Sequence, residues 1–205
     1  MVATIAVLLA TPAKAQLFLG NKMMGSQKVE GVVHFVNGTT EEYPQIEVPV
    51  TRDRDLTVYD QNKKKTRFNA TEINYIDVWY KTTPDKHWYF AYLDCDYPMY
   101  KSIWASIVGV SENLIVYKVA LGYGVNKKGE LEYYVQDNMS SVAIMYYNRT
   151  TNSYFQQGFK TIKHFKEKFS AFFVNDPILR AKIESGEVGF RDWDFILDNY
   201  SPSAE

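Results

Sequence analysis

The chain has 205 residues, 46% of them apolar and 23% charged, the balance of a folded globular protein and not of a disordered one. Its 23 basic and 24 acidic groups give a net charge of −1, which leaves no electrostatic footprint for nucleic acid or an anionic lipid surface. The single cysteine excludes an intramolecular disulfide, and the sixteen Tyr and twelve Phe point first to strands and second to an interaction surface.

The opening "MVATIAVLLATPAKAQ" is expected to be an export signal covering residues 1–15. Val2 to Ala10 form an apolar run too short to span a bilayer, and Ala13-Lys14-Ala15 fits a small-x-small cleavage site. Cleavage before Gln16 would remove Lys14 and leave 22 basic against 24 acidic groups, a net charge of −2. An exported chain without disulfides must rely on its core, which fits a bacterial periplasm or exterior better than an animal secretory route. The sequons at Asn37, Asn69, Asn138 and Asn148 would then be turn residues.

Residues 16–28 form a polar lead-in. "VEGVVHF" reads as a strand, Asn37-Gly38 as a turn, and "QIEVPV" and "LTVYD" as the next strands. "QNKKK" reads as a loop, and Thr71 to Asn74 as a helical turn before a long strand. After the irregular "DCDYPMYKS", the strands "IWASIVGV", "NLIVYKVALGYGV", "ELEYYVQ", "SVAIMYYN" and "YFQQGF" follow. No helix separates them, so about ten strands are expected in a mainly antiparallel meander, sandwich or barrel-like.

Between these halves lies "IDVWYKTTPDKHWYFAYL", two strands and a turn. A four-residue turn, Thr82 to Asp85, sets Trp79 opposite Trp88. One face then holds Ile76, Val78, Tyr80, His87, Tyr89, Ala91 and Leu93, an ordinary core face. The other holds Tyr75, Asp77, Trp79, Trp88, Phe90 and Tyr92, an aromatic ladder with one carboxylate in it. So much apolar area needs either a cover or a ligand. Tyr75, Trp79, Trp88, Tyr92 and Tyr97 are the candidate binding residues, with Tyr97 at the rim.

The period changes at Lys160. Ile162, Phe165, Phe169 and Phe172 recur at helical spacing. Asp176-Pro177 is a helix start and Gly186 a stop, and a further stripe of Phe190, Trp193, Leu197 and Tyr200 follows. The expected fold is thus α+β: residues 16–205 form one β-rich domain, and its tail 160–205 folds as two or three short helices packed on the sheet. The tail, or a second sheet, is expected to cover most of the ladder and leave open the end near Tyr75, Tyr92 and Tyr97.

Residues for chemistry are sparse. His34, His87 and His164 are too far apart in sequence to form a metal-binding pair motif. Asp94-Cys95-Asp96 points its neighbours to opposite faces, and Cys95 as a nucleophile would need a histidine such as His87 beside it. "GYGVNKKG" lacks the ending of a phosphate loop. Asp77, Asp94, Asp96 and Glu132 are the carboxylates available to a glycoside hydrolase. No catalytic residue, metal ligand or cofactor is assigned.

"KVEGVVHFVNGTTEEY", "FNATEINYIDV" and the tail "FKEKFSAFFVNDPILRAKIESGEVGFRDWDFILDNY" together resemble secreted proteins of unknown function from Bacteroidota. Phe169, Phe172, Asp176, Pro177, Leu179, Ile183, Gly186, Glu187, Asp192 and Tyr200 carry the likeness, while Asn199-Tyr200 inverts the usual ending. The resemblance implies export and this organisation, and carries over no catalytic residue. The expectation is an exported, non-catalytic, monomeric protein that binds a glycan or cell-envelope component through its aromatic residues. An extracytoplasmic hydrolase and a purely structural domain remain the alternatives.

Overall fold

The computed structural model describes residues 28–49, 53–95, 102–121, 130–137, 142–148, 165–189 and 192–202. Among the described residues there are ten strands: β1 (Lys28–Phe35), β2 (Thr40–Glu47), β3 (Asp55–Tyr59), β4 (Lys65–Asn69), β5 (Ile73–Tyr80), β6 (Thr83–Cys95), β7 (Ser102–Val110), β8 (Leu114–Leu121), β9 (Glu130–Asp137) and β10 (Val142–Asn148). Residues 165–172 form helix α1, followed by α2 (Pro177–Ser185) and α3 (Trp193–Asn199). The α+β class and the strand-rich architecture agree with the sequence reading. The strand expected at "YFQQGF" and the helix residues Ile162 and Phe190 lie outside the described residues. Among the described residues no helix is long and apolar enough to cross a membrane.

The strands lie in one sheet in the order β10-β9-β8-β7-β6-β5-β1-β2-β3-β4, and every neighbouring pair in it is antiparallel. Two features depart from a simple meander. The 3-10 turn Ala70–Glu72, opened by the Asn69 side chain accepting from the Thr71 N–H, sends β5 back beside β1. In addition, β10 pairs in parallel with the end of β6, Val142 opposite Asp94 and Ala143 opposite Cys95, and so closes β6 to β10 into a ring. The sheet is thus mainly antiparallel, as the sequence reading expects, with this one parallel pairing among the described residues.

Alternation along the strands sorts the apolar residues onto two faces. On one face Val29, Val33, Ile46, Leu56, Val58, Ile76, Val78, Phe90 and Trp104 form a buried cluster under the curl of β1 to β4. On the opposite face Ala91, Leu93, Ile103, Ala105, Ile107, Ile115 and Tyr117 form a second cluster, joined by Tyr75. Gly31 sits where the first curl is tightest: a Cβ there would come within 2.4 Å of the Asp77 carbonyl oxygen, so β1 needs glycine to lie against β5.

The helices make a third cluster. Phe165, Phe169, Phe173, Leu179, Ile183, Val188, Trp193, Ile196 and Tyr200 pack with Leu114 and Val116 of β8. These are the β8 residues alternating with Ile115 and Tyr117, so the tail lies on the face of the strand turned away from the second cluster. Gly109 of β7 makes room for it, since a Cβ there would meet the Leu197 side chain at 2.3 Å. The tail therefore covers β7 and β8. The expectation named the tail or a second sheet as the cover of the aromatic hairpin; the tail is not that cover, and β1 to β4 of the same sheet supply it on one hairpin face.

Asp176 fixes the tail. It is 5% exposed, its Oδ1 accepts from the Leu179 N–H at 2.9 Å as the N-cap of α2, and its Oδ2 accepts from the Ser201 N–H at 2.9 Å. One carboxylate thus joins the start of α2 to the segment after α3. At the other end of α2, Gly186 adopts φ 86° and donates to the Lys182 and Ile183 carbonyls, the left-handed stop that the sequence signals. Asp176→Ala should lower stability by about 2 kcal/mol, from a lost cap and a lost charge-assisted bond. Chemical denaturation checks this, and an unchanged midpoint would contradict it.

Candidate functional site

The hairpin register decides what the site contains. Tyr80 pairs with Thr83 across the two residues Lys81 and Thr82, but Trp79 pairs with His87. Pro84, Asp85 and Lys86 have no counterparts on β5 and form a bulge. Proline has no N–H to give a ladder and is found in strands at such interruptions. Beyond the bulge, Val78 faces Trp88, Asp77 faces Tyr89 and Ile76 faces Phe90. The four-residue turn expected from the sequence places these residues one position off, and a shift of one exchanges the two faces of β6.

The aromatic ladder is accordingly split. Phe90 lies in the first core cluster with Trp104, and Trp88 and Tyr92 pack against it, the ring of Trp88 edge-on to Tyr80 at 5.3 Å. Tyr75 and Trp79 are on the other face. Of the five candidate binding residues, the structure groups Tyr75 with Trp79 and separates both from Trp88 and Tyr92. Tyr97 lies outside the described residues. The end expected to be open is also reversed: Tyr75 is 7% exposed, whereas Trp79 is half-buried and His87 is exposed.

On the face of Tyr75 and Trp79, three strands build a grid. Glu30, Trp79 and His87 form its outer row, Val32, Asp77 and Tyr89 its middle row, and His34 and Tyr75 its inner row. Glu42 of β2 extends the middle row opposite Val32, and Thr40 extends the inner row opposite His34. Alternation on all three strands makes these residues neighbours, and the rows pass from exposed at His87 to buried at Tyr75, where the grid meets the second core cluster.

Asp77 is the centre. Both of its oxygens accept from His87 Nδ1, at 2.8 and 3.0 Å, which fixes the hydrogen of a neutral imidazole on Nδ1. The ring of His34 stacks on Tyr75 with centroids 4.0 Å apart and 15° between planes. Trp79 lies 5.0 Å from the His87 ring and donates its indole N–H to Glu30 Oε2 at 3.3 Å. The His87 and Tyr89 rings are 6.4 Å apart at 22°.

Burial perturbs the acid–base groups here. It raises the Asp77 pKa, with the hydrogen bond and charge of His87 and the charge of His34 acting against it. It lowers the His34 pKa, opposed by Asp77. Tyr75 is pushed up to about 12 by burial and then by Asp77 and Tyr89, and Tyr89 is raised by burial and Asp77, so both phenols stay neutral.

The other residues considered for chemistry fall elsewhere. Asp94 accepts from Ser102 Oγ at 2.6 Å on the exposed end of β6. Asp96 and His164 lie outside the described residues, as do the side chains of Cys95 and Glu132. Among the described residues no group of three or more His, Cys, Asp or Glu is arranged to hold a metal ion. The sequence reading put Asp77 and His87 on opposite faces and so missed their bond. Pro84, inside an apparent turn, was the signal that the register would shift. No family model, curated protein or solved structure matches the chain.

The shifted pKa values predict a pH response. Unfolded, His34 binds a proton near the ordinary imidazole value of about 6.5, whereas folded it does so only at lower pH. The unfolded state then binds more protons, so stability falls as pH drops through that range. Asp77, with its pKa raised, contributes the opposite sign in the more acidic carboxylate range. Melting temperature should decline from about pH 7.5 to about pH 5.5, and less steeply in His34→Gln. Equal slopes in parent and variant would contradict this assignment.

Proposed function

We propose that the protein is an exported, non-catalytic and monomeric binding protein, and that the grid on β1, β5 and β6 seats a glycan or another cell-envelope component. Export rests on the apolar run and small-x-small site before Gln16 and on the resemblance to secreted Bacteroidota proteins. The observation that carries the binding reading is the half-buried Trp79, beside the exposed His87 and two residues from the Asp77 carboxylate. A sugar presents apolar C–H faces and hydroxyl groups together. Trp79 and Tyr89 offer flat rings for the first, and Asp77, Glu30 and the imidazoles offer acceptors and donors for the second.

One observation favours a hydrolase as the second reading: Asp77 holds His87 by Nδ1, the orienting half of a triad. Among the described residues His87 has no hydrogen bond to a hydroxyl or thiol nucleophile, so binding is the better-supported reading.

The two tryptophans of the hairpin separate binding from folding. Trp88→Ala opens the core under β1 to β4 and should cost about 2 kcal/mol, discounted from the fully buried case because Trp88 is half-buried. Trp79→Ala should melt closer to the parent and weaken binding to whichever glycan an array of envelope oligosaccharides selects by about tenfold or more. Equal binding by Trp79→Ala and parent would remove the grid as the site.

A further inference from the structure

The charge balance of the grid says which chemical group its centre prefers. The charges that act on Asp77 are those of His87 and His34; among the described residues no lysine or arginine contributes. Burial lowers the His34 pKa, with Asp77 acting against it, so His34 is no permanent charge. The Asp77 carboxylate, with its side chain only 16% exposed, therefore gives up water without a permanent counter-charge. Glu30 at the corner is bonded by an indole N–H, which satisfies an oxygen and neutralises nothing. Glu42 adds a third carboxylate on the same face, opposite Val32. The phenols of Tyr75 and Tyr89 remain neutral, and the half-buried rings of Trp79 and Tyr89 present electron-rich faces.

Carboxylates with no fixed cation bonded to them among the described residues, set beside aromatic rings, complement a positive charge. A neutral hydroxyl would gain a hydrogen bond at Asp77 and no more, whereas an ammonium group gains charge pairing in a partly desolvated setting and attraction to the rings. Trp79 and Asp77 are next-but-one neighbours on β5, so their side chains are about 7 Å apart along the strand. That spacing matches a pyranose ring stacked on the indole with its amino substituent at the carboxylate.

We propose that the ligand of this face is an amino-sugar oligosaccharide, and that Asp77 receives its protonated amine. This rests on the binding reading above and names the ligand class for the same site.

The test is calorimetric titration of the full-length mature chain at about pH 6, where the sugar amines carry charge. The probes are a glucosamine hexamer, the matching N-acetylglucosamine hexamer and trilysine. The expected result is binding of the glucosamine hexamer at least about tenfold tighter than either other probe. Asp77→Asn, which keeps the shape and a hydrogen-bonding oxygen, should lose that preference while melting no lower than the parent. Equal affinity for the two hexamers would overturn the amine assignment and leave the glycan reading standing. Binding of neither hexamer would count against both. Trilysine binding as tightly as the glucosamine hexamer would show that the sugar is not what is recognised. A preference that survives in Asp77→Asn would also overturn the proposal, since general attraction to an acidic protein would then explain it.

Discussion

The pairing of β5 with β6 is the constraint on which the rest depends. Pro84 and the two residues after it are left out of the ladder, and that bulge sets Trp79 against His87. From it follows the fate of every aromatic residue in the hairpin. Trp88, Phe90 and Tyr92 turn toward Val33, Ile46, Leu56 and Val58, and Tyr89, Ala91 and Leu93 turn toward the interior shared with Ile103 and Tyr117. It also brings Asp77 and His87 onto one face. A register one residue away would put the imidazole and the carboxylate on opposite sides of the sheet and bury a charge without its partner.

The site arises where two cores of one sheet meet. β1 to β4 curl over one face of β5 and β6, and the ring closed by β10 encloses the other. Between them the outer side of β1 and β5 has no strand above it among the described residues. Polar and aromatic side chains occupy it: Glu30, His34, Asp77, Trp79. The gradient from exposed His87 to buried Tyr75 follows from this position, because Tyr75 already packs with the ring cluster while His87 stands at the open end of the hairpin. The same gradient raises the pKa of Asp77 and lowers that of His34, since both lie partway along it.

Local signals were legible in the sequence and long-range ones were not. Asn37-Gly38, the Asp176 cap and the Gly186 stop each state their own geometry within four residues, and each is found as read. Phe165, Phe169 and Trp193 follow the helical stripes, although Phe173 was missed and is fully buried, while Phe172 lies partly outside the cluster. The strand β4 was missed because Lys65 and Arg67, on an outer strand of the sheet, look like loop residues. The pairing of β1 with β5 and the parallel closure of β10 on β6 join residues tens of positions apart, and alternation within a strand does not name its neighbour. Of the candidate binding residues, Tyr75 and Trp79 were placed together correctly. Trp88 and Tyr92 were placed with them through a turn length that Pro84 alters, and the docking of the tail on Leu114 and Val116 could not be told from docking on the hairpin, since both surfaces are apolar.

The most direct test of this account is the hairpin register itself. Nuclear Overhauser spectra of the folded protein, with tryptophan and histidine selectively labelled, report which rings are neighbours. The rings of Trp79 and His87 are 5.0 Å apart, so cross-peaks between indole and imidazole protons are expected, with none between the two indoles of Trp79 and Trp88. Cross-peaks between Trp79 and Trp88, and none from Trp79 to His87, would restore the unbroken aromatic ladder and dissolve the grid.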